Sequence, residues 1–236
     1  MNLMRKTPFV PGEYYHIYNR TILNVPEFND YKNTERLAQS FLIANSTKSS
    51  EAFQFLRNNK EATIDEALDI AKQGEKLVDI LSYAIMPDHY HLLLKELRDN
   101  GISDFIRKCN ISIAKYINIK NNRRGTLFES RFNSKHVDTD RYLLHLSLYI
   151  HLNPLDITSG KEWREHKLKN WSVEKEKLLK YPWSSLRAYL DDNYQDLILS
   201  GTDIIRDQFK DSKEYEDFLK EWSEESLISV KDYILD

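Results

Sequence analysis

The stretch VDILSYAIMPDHYHLLLK, residues 78–95, decides the fold because two strand-like segments are joined by a very short turn. Both segments are rich in β-branched, aromatic and leucine side chains, and only Pro87 and Asp88 lie between them. A connection so short and so rich in turn formers predicts a tight antiparallel hairpin. Residues two apart on a strand point to the same face, so His89 and His91 should project together.

The segments on either side of the hairpin alternate between strand and helix patterns. In YYHIYNR, the first strand pattern, His16 and Tyr18 face one side and Tyr15 and Ile17 the other. In chain order the sequence predicts a strand at 14–20, helices at 30–44 and 63–74, the hairpin, a helix at 102–121, a strand at 127–137 and a helix at 140–152. This order predicts an α+β fold, a ferredoxin-like split βαβ palm whose antiparallel sheet carries helices on one face.

The last third of the chain has a different character. Residues 158–180 are polar and rich in Lys and Glu, and they predict a linker or an exposed helix. Aromatic anchors return at 181–190 and 209–222, so we expect a small helical appendage that packs back onto the main part. The sequence therefore predicts a main domain at 1–157 and a C-terminal extension at 158–236.

Composition narrows the class of protein. The chain has 236 residues and a single cysteine, Cys109, which excludes an internal disulfide framework and a zinc ribbon. The first residues contain no apolar signal-peptide core, and no apolar run approaches the ~18 residues of a membrane span. We therefore expect a soluble cytoplasmic protein with no membrane partner.

Charge is distributed unevenly along a chain whose net charge is −3. Residues 98–136 contain nine basic and three acidic side chains, whereas residues 189–236 contain five basic and fourteen acidic ones. A basic middle with an acidic tail favours local binding of phosphate groups. Charge alone leaves open the alternative that these are solvated helix faces.

The pair His89 and His91 admits two interpretations. Two neutral imidazoles close together on one strand face can bind a single divalent ion. The alternative is that both are ordinary half-exposed strand histidines. The deciding observation is whether a facing element offers a nucleophile or a third ligand.

The helix pattern DRYLLHLSLYIHLNP, residues 140–154, offers such side chains. At ~100° per residue, Tyr142, His145, Tyr149 and Asn153 form one polar strip among leucines. A polar strip on a buried helix needs partners. If this helix packs on the face that bears the two histidines, a phenol and an amide oxygen meet the metal; otherwise Tyr149 is an amphipathic core residue.

Five motifs in a fixed order resemble one known family. They are YHIYNR (15–20), MPDHYHLLL (86–94), GTLFESRF (125–132), DRYLLHLSLYIHLNP (140–154) and YPWSSLRAYL (181–190). Over about residues 9–190 they are similar to those of the REP-associated tyrosine transposases, a branch of the single-tyrosine HUH (His-hydrophobic-His) endonucleases and transposases. The resemblance implies a ferredoxin-like palm and makes the main domain an HUH catalytic domain.

Carried over residue by residue, the resemblance implies a complete site. His89 and His91 would be ligands of Mg²⁺ or Mn²⁺, and Asn153 would be a third, amide ligand. Tyr149 would be the nucleophile. The metal or a bound water is expected to assist deprotonation of Tyr149, and the position of His145 one turn before it makes this histidine a candidate helper.

The implied reaction is a metal-dependent transesterification on single-stranded DNA. The Tyr149 oxygen would attack the scissile phosphorus, leaving a 5′-phosphotyrosine and a free 3′-OH. The implied partners are DNA hairpins of palindromic repeats, bound by a monomer or a homodimer. Ten side chains are the expected DNA contacts: Arg107, Lys108, Lys115, Arg123, Arg124, Arg131, Lys135, Tyr15, Tyr18 and Phe132.

Four alternatives remain open from the sequence. A domesticated relative would hold hairpin DNA without cutting it, and a plasmid-type replication initiator would nick DNA with the same chemistry. A metallohydrolase would instead use His89, His91 and a third histidine such as His136. Tyr116, on a predicted helix near the basic segment, is the rival nucleophile.

Overall fold

The computed structural model describes residues 8–160, 163–164, 168 and 170–224. Its centre is a four-stranded sheet in the order β2-β3-β1-β4. The strands are β1 (Tyr14–Arg20), β2 (Val78–Ile85), β3 (His89–Glu96) and β4 (Asn133–Val137). All three neighbouring pairs are antiparallel. Each helical crossover connects two strands that are not neighbours in the sheet, and another strand lies between them. The predicted ferredoxin-like palm is confirmed.

Ten α-helices accompany the sheet in the part of the chain that the structure describes. They are α1 (Tyr31–Ala44), α2 (Ser49–Asn58), α3 (Ile64–Ala71), α4 (Gly101–Lys120), α5 (Asp140–Leu152), α6 (Leu155–Thr158), α7 (Trp171–Lys180), α8 (Leu186–Leu190), α9 (Asp203–Arg206) and α10 (Ser212–Glu224). Side chains at the predicted helix starts act as caps. Asp30 caps α1, Thr63 and Glu66 form a capping box on α3, and Thr139 caps α5.

Both faces of the sheet are covered. The helices α1 and α4 pack on the face that bears Ile17, Leu92 and Leu94. On the opposite face, α5 and the helices of the C-terminal extension pack around Leu81 and Leu93. The two palm helices therefore lie on one face, as predicted, and α5 with the extension forms a second layer on the other.

The hairpin between β2 and β3 forms as predicted. The N–H of Met86 donates to the carbonyl of His89 over 2.7 Å, and the register places Ala84 opposite His91. Because alternate residues share a face, the two histidines lie on the same side as Leu93, which packs in the cluster with α5. The hairpin thus directs both imidazoles toward α5.

The C-terminal extension attaches along the outer strand β2. The N–H of Ile85 donates to the carbonyl of Trp183 over 2.8 Å, and the N–H of Ser185 donates to the carbonyl of Tyr83 over 3.0 Å. Side chains of the extension, including Tyr189, pack in the same cluster as α5. The boundary predicted after residue 157 therefore lies between two parts that share one hydrophobic cluster.

Two local expectations differ from the structure. The strand predicted at 127–137 begins only at Asn133, because Leu127 and Phe128 turn into the core under α1 and α4. The structure also contains α2, which was not predicted; only Ser49 and Ala52 of this helix are buried. None of the described helices is long and apolar enough to cross a membrane.

Candidate active site

Three histidines lie on the face of the sheet that α5 covers. The ring centroids of His89 and His91, two residues apart on β3, are 5.0 Å apart. His16 on β1 adds the third ring, with its Nε2 atom 2.9 Å from Nδ1 of His91. His16 and His91 are buried, whereas the side chain of His89 is 12% exposed. His89 therefore lies on the solvent side of the group.

Asp88 holds the ring of His89 in one orientation. The Nδ1 atom of His89 lies 2.6 Å from Oδ1 of Asp88. Burial acts to raise the pKa of Asp88, but the hydrogen bond and charge of His89 and the charge of Arg20 outweigh it and lower that pKa. An ionised Asp88 accepts the Nδ1 proton, so the lone pair of His89 is on Nε2. That Nε2 atom is buried and has no hydrogen-bond partner among the described residues.

Tyr149 on α5 faces the histidine group. Its ring centroid is 5.5 Å from that of His91 and 6.5 Å from that of His16, both in edge-to-face geometry. The tyrosine is 2% exposed. It is brought here because α5 crosses over β2, β3 and β4 with Leu146 and Ile150 packed in the core on either side of it. A site at Tyr149 requires that α5 packs on the sheet face that bears the two histidines, and this packing is present.

Arg164 connects the tyrosine to the end of α5. Its Nη1 atom is 3.3 Å from the Tyr149 hydroxyl, and its Cζ atom is 5.3 Å from the centre of the ring. Its Nη2 atom is 3.3 Å from Oδ1 of Asn153. Asp156 binds the guanidinium through both carboxylate oxygens, at 3.1 and 2.9 Å. Burial alone would lower the pKa of Arg164, but the bond from Asp156 raises it, so the guanidinium is charged.

The residues present suit a divalent ion. His89 offers a buried Nε2 lone pair, and Asn153 is fully buried with an Nδ2 atom that has no hydrogen-bond partner among the described residues. Rotating the Asn153 amide by half a turn would bring its oxygen to that position, in exchange for the Arg164 contact. Within the described residues, no group of three or more His, Cys, Asp or Glu side chains is placed to hold a metal. The fit therefore rests on two imidazoles and an amide.

An open cavity of about 550 Å³ leads to this group from solvent. Its walls include His89 and Asp88 on one side and Asp156 and Arg164 on the other, with Arg20 beside them. Two arginines and a histidine around one opening provide donors for the oxygens of a phosphodiester. The cavity would therefore give a phosphate access to His89 and to Arg164, which contacts the Tyr149 hydroxyl.

The structure does not bring His145 to the tyrosine. Its Nε2 atom accepts from Nε of Arg141 at 3.4 Å, and the neighbouring rings of Phe218 and Trp222 lie 6.1 and 6.3 Å away on α10. The predicted polar strip along α5 is therefore split, because successive turns of the helix rotate His145 toward the extension while Tyr149 faces the sheet. The expected helper role of His145 has no geometric support.

Two rival residues lie on the other side of the sheet. Tyr116 on α4 packs with the core under α1 and α4 and has Arg36 and Lys120 near its ring. His136 lies 2.9 Å from Glu13 and 5.1 Å from the ring of Tyr15, on the face opposite His91. Neither residue can join the histidine pair without crossing the sheet.

The basic side chains expected to bind DNA do not form one surface. Only Lys135, whose backbone pairs with that of His16, lies on β4 beside the site. Arg107, Lys108 and Lys115 lie on α4, behind the sheet, where Lys108 donates to Ser49. The others occupy the loop between α4 and β4: Arg123, which pairs with Glu27, and Arg124 and Arg131, which are exposed.

The three aromatic residues that were expected to contact DNA also lie in different environments. The half-buried ring of Tyr18 lies 5.9 Å from that of His91 and is well placed to meet a base. Tyr15 was expected to stack on DNA, and this expectation needs correction: the residue is 6% exposed and its hydroxyl accepts from the N–H of Val10. Phe132 stacks on Phe9 at 6.2 Å, next to Tyr15. Because the ring of Tyr15 is buried in the core, it has no exposed face on which a base could stack.

Three residues of the site were not predicted. His16 shares a strand face with Tyr18, and the alternation in this strand is the sequence feature that could have identified it as a site residue. Asp88 was interpreted only as a turn former, although an acid directly before a histidine is a common way to orient its ring. Arg164 lies in the polar segment interpreted as a linker, where its only signal is the neighbouring Trp163, an aromatic residue among charges.

Comparison with known proteins agrees with the motifs. Residues 46–153 match the family model described as "Transposase IS200 like", and this segment contains His89, His91, Tyr149 and Asn153. No curated protein sequence shows significant similarity to the chain. A solved structure described as the REP-associated tyrosine transposase bound to a REP hairpin is similar, with a TM-score of 0.48 and 12% identity over 85% of this chain and 92% of that one. The transposase resemblance is confirmed for the matched segment.

Proposed function

We propose that this chain, whose residues 46–153 match the IS200-like transposases, is a metal-dependent DNA transesterase that uses Tyr149 as its nucleophile. It would nick and rejoin single-stranded DNA at palindromic hairpin elements through a 5′-phosphotyrosine. The observation that carries the proposal is the position of the Tyr149 ring, 5.5 Å from that of His91 on the sheet face that bears the histidine pair.

His89, His91 and Asn153 are the residues that would hold the ion. Two imidazoles favour Mn²⁺ over Mg²⁺, because magnesium takes oxygen ligands almost exclusively. When bound, the ion supplies polarisation of the scissile phosphate and neutralises charge on its oxygens. His16 and Asp88 orient the two imidazoles through their Nδ1 atoms, at 2.9 and 2.6 Å.

Tyr149 performs the covalent step. Its hydroxyl oxygen bonds to phosphorus, the bond from phosphorus to O3′ breaks, and the phenol proton passes to water while the 3′ oxygen gains one. The guanidinium of Arg164 donates to the attacking oxygen and balances its charge. Because an aryl phosphate keeps the energy of the broken diester, a 3′-OH can reverse the step and release Tyr149.

The DNA would approach through the cavity beside His89. Tyr18 and Lys135 lie next to the site and would contact an unpaired base and a phosphate. A hairpin as the partner, the cytoplasm as the compartment, and either a monomer or a homodimer as the assembly are parts of the same proposal.

Covalent capture tests the proposal. Labelled palindromic hairpins with randomised single-stranded feet are incubated with the protein and Mn²⁺, and adducts that survive SDS are resolved on a gel. We expect an adduct with the wild-type chain and with Tyr116→Phe, and none with Tyr149→Phe. An adduct that persists in Tyr149→Phe would overturn the assignment of the nucleophile. Tight hairpin binding without any adduct would favour a DNA-binding protein that does not cleave.

A further inference from the structure

A second cavity lies on the helical side of the palm, with the sheet between it and Tyr149. It is a groove of about 790 Å³ between α4 and the pair α2 and α3. One wall is the outer surface of α4, and the other is formed by α2 and the residues up to Ile64 at the start of α3; Arg36 of α1 also lines the groove. The groove is therefore separate from the cavity that leads to His89.

The charged side chains among the described residues that line this groove are all positive. No aspartate or glutamate is among the described residues that line it, although acids outnumber bases in the chain as a whole. Five cations line it: Arg36, Arg57, Arg107, Lys108 and Lys115. Of these five, only Arg107 forms an ion pair with an acid of the described residues, Asp104 at 3.1 Å, and the charge of Asp104 also acts on Lys108. A concave surface with such an excess attracts an anion that extends over several charges.

Arg36 is the innermost of these cations. Its Nε atom is buried and has no hydrogen-bond partner among the described residues. Its Nη2 atom is 3.4 Å from Oγ of Ser112, and its Cζ atom is 6.0 Å from the ring of Tyr116. Burial lowers the pKa of Arg36 because no carboxylate compensates its charge. The guanidinium of Arg36 therefore offers an uncompensated positive charge to a phosphate in the groove.

The rest of the groove is apolar and aromatic. Phe53 and Tyr116 present rings to it, and the isoleucines on α4 are unusually open, with Ile111 56% and Ile119 70% exposed. Inorganic phosphate would use none of this surface. Nucleobases would use it, because an unpaired base stacks on rings and apolar side chains while its phosphate meets a cation.

We propose that this groove binds an unpaired stretch of a nucleic acid strand, with phosphates on the five cations and bases against Phe53, Tyr116, Ile111 and Ile119. Paired bases cannot reach these side chains, so the surface selects single strands over duplex. The site lies behind the sheet and does not depend on the reaction at Tyr149. It provides a second attachment point for a strand, remote from the nucleophile.

Fluorescence anisotropy of a labelled ~12-nucleotide oligo(dT), which falls within the usual footprint of a strand-binding groove, tests this inference. The full chain carries Tyr149→Phe so that no covalent product forms. The double variant Arg57→Glu/Lys115→Glu places two acids on the exposed rim. The matched control, Lys60→Glu/Lys72→Glu, makes the same change of charge at exposed positions near α3, outside the groove.

We expect the rim variant to weaken oligo(dT) binding at least about tenfold and the control less than about twofold, with a shallower salt dependence in the rim variant. We also expect oligo(dT) to bind more tightly than a duplex of the same length. Equal losses in both double variants, equal affinity for duplex, or no binding by the parent chain would each overturn the inference.

A crosslink locates the strand independently of affinity. An oligonucleotide that carries 5-iodouracil is irradiated with the same protein, and the attached peptide is identified by mass spectrometry. Attachment at Phe53 or Tyr116 supports the groove, whereas attachment confined to Tyr18 and its neighbours contradicts it. Because SDS-stable adducts are scored in separate reactions with Tyr149 intact, failure of the groove and failure of the proposed reaction are distinguishable.

Discussion

The Nε2 atom of His16 lies 2.9 Å from the Nδ1 atom of His91, so one proton is shared between two buried imidazoles. If His91 binds an ion through Nε2, its Nδ1 carries the proton and His16 is the acceptor. His16 then determines the tautomer of a ligand without touching the ion itself.

Replacing His16 should therefore weaken metal binding. We expect His16→Phe, which keeps a ring but removes the acceptor, to reduce Mn²⁺ affinity about 10- to 100-fold. His16→Gln, which can still accept the His91 proton, should recover part of the loss. Isothermal titration with Mn²⁺ measures this, with His136→Gln as the control on the other face of the sheet. Unchanged affinity in His16→Phe would show that His91 needs no orienting partner.

Arg164 should affect the rate of the covalent step more than DNA binding. Because its guanidinium donates to the Tyr149 oxygen at 3.3 Å, we expect Arg164→Gln to slow adduct formation about a hundredfold. Arg164→Lys should be intermediate, since lysine keeps the charge but loses the paired donors. Single-turnover rates at saturating hairpin DNA measure the effect. Arg141→Gln, a like substitution at an exposed position beside His145, should leave the rate unchanged.

His151 should make the stability of the fold sensitive to mild acid. Burial lowers its pKa to about 3 from 6.5, while its ring contacts the Tyr215 hydroxyl at 2.7 Å and Oγ of Ser185 at 2.8 Å. Between these pKa values the unfolded chain binds a proton that the folded chain does not. The free energy of unfolding should therefore fall as pH drops below about 6.5, by up to ~1.4 kcal/mol per pH unit from this group.

Urea unfolding at pH values between 7.5 and 5 measures this dependence. His151→Gln should show a flatter slope than the wild type. Identical slopes in the two proteins would mean that other groups account for the acid sensitivity.

Glu96 should stabilise the start of α4. Its fully buried carboxylate accepts from the N–H groups of Gly101 at 3.0 Å and Ile102 at 2.7 Å. Glu96→Gln keeps the shape but turns an amide NH₂ toward one of these donors. We expect a loss of about 2 kcal/mol in the free energy of unfolding, because a charged acceptor at a helix start is replaced and a buried donor is left unsatisfied. Glu61→Gln, at an exposed position, should change it by less than about 0.5 kcal/mol.

The fold and the histidine pair were predictable because their signals are local. The turn at Pro87 and Asp88 and the alternation on either side are enough to place His89 and His91 on one face. Helical spacing likewise places Tyr149 and Asn153 on one side of a helix. Periodicity does not show on which face of the sheet α5 packs. The family resemblance supplied this contact, because it implied that Tyr149 and the two histidines belong to one site.

Other parts of the site were not predictable from pattern. Alternation shows that Tyr15 and His16 face opposite ways, but not which face the helices α1 and α4 bury, so Tyr15 was wrongly expected to meet DNA. The contact of Arg164 with Tyr149 joins two different segments, and the hydrophobic periodicity of one segment says nothing about its contacts with the other. The basic residues of 98–136 are close together in sequence, yet α4 carries four of them, Arg107, Lys108, Lys115 and Lys120, on the helical side of the sheet.

The backbone pairing of Trp183 and Ser185 with β2 has a consequence for how the chain behaves when shortened. A fragment that ends near residue 157 would keep His89, His91, Tyr149 and Asn153 but would lose Arg164. It would also leave the N–H of Ile85 and the carbonyl of Tyr83 unpaired along an outer strand of aromatic and aliphatic residues. Bare strands of this kind recruit one another. Such a fragment should associate through β2 into aggregates, and the extension is in this sense the chain's own protection against self-association.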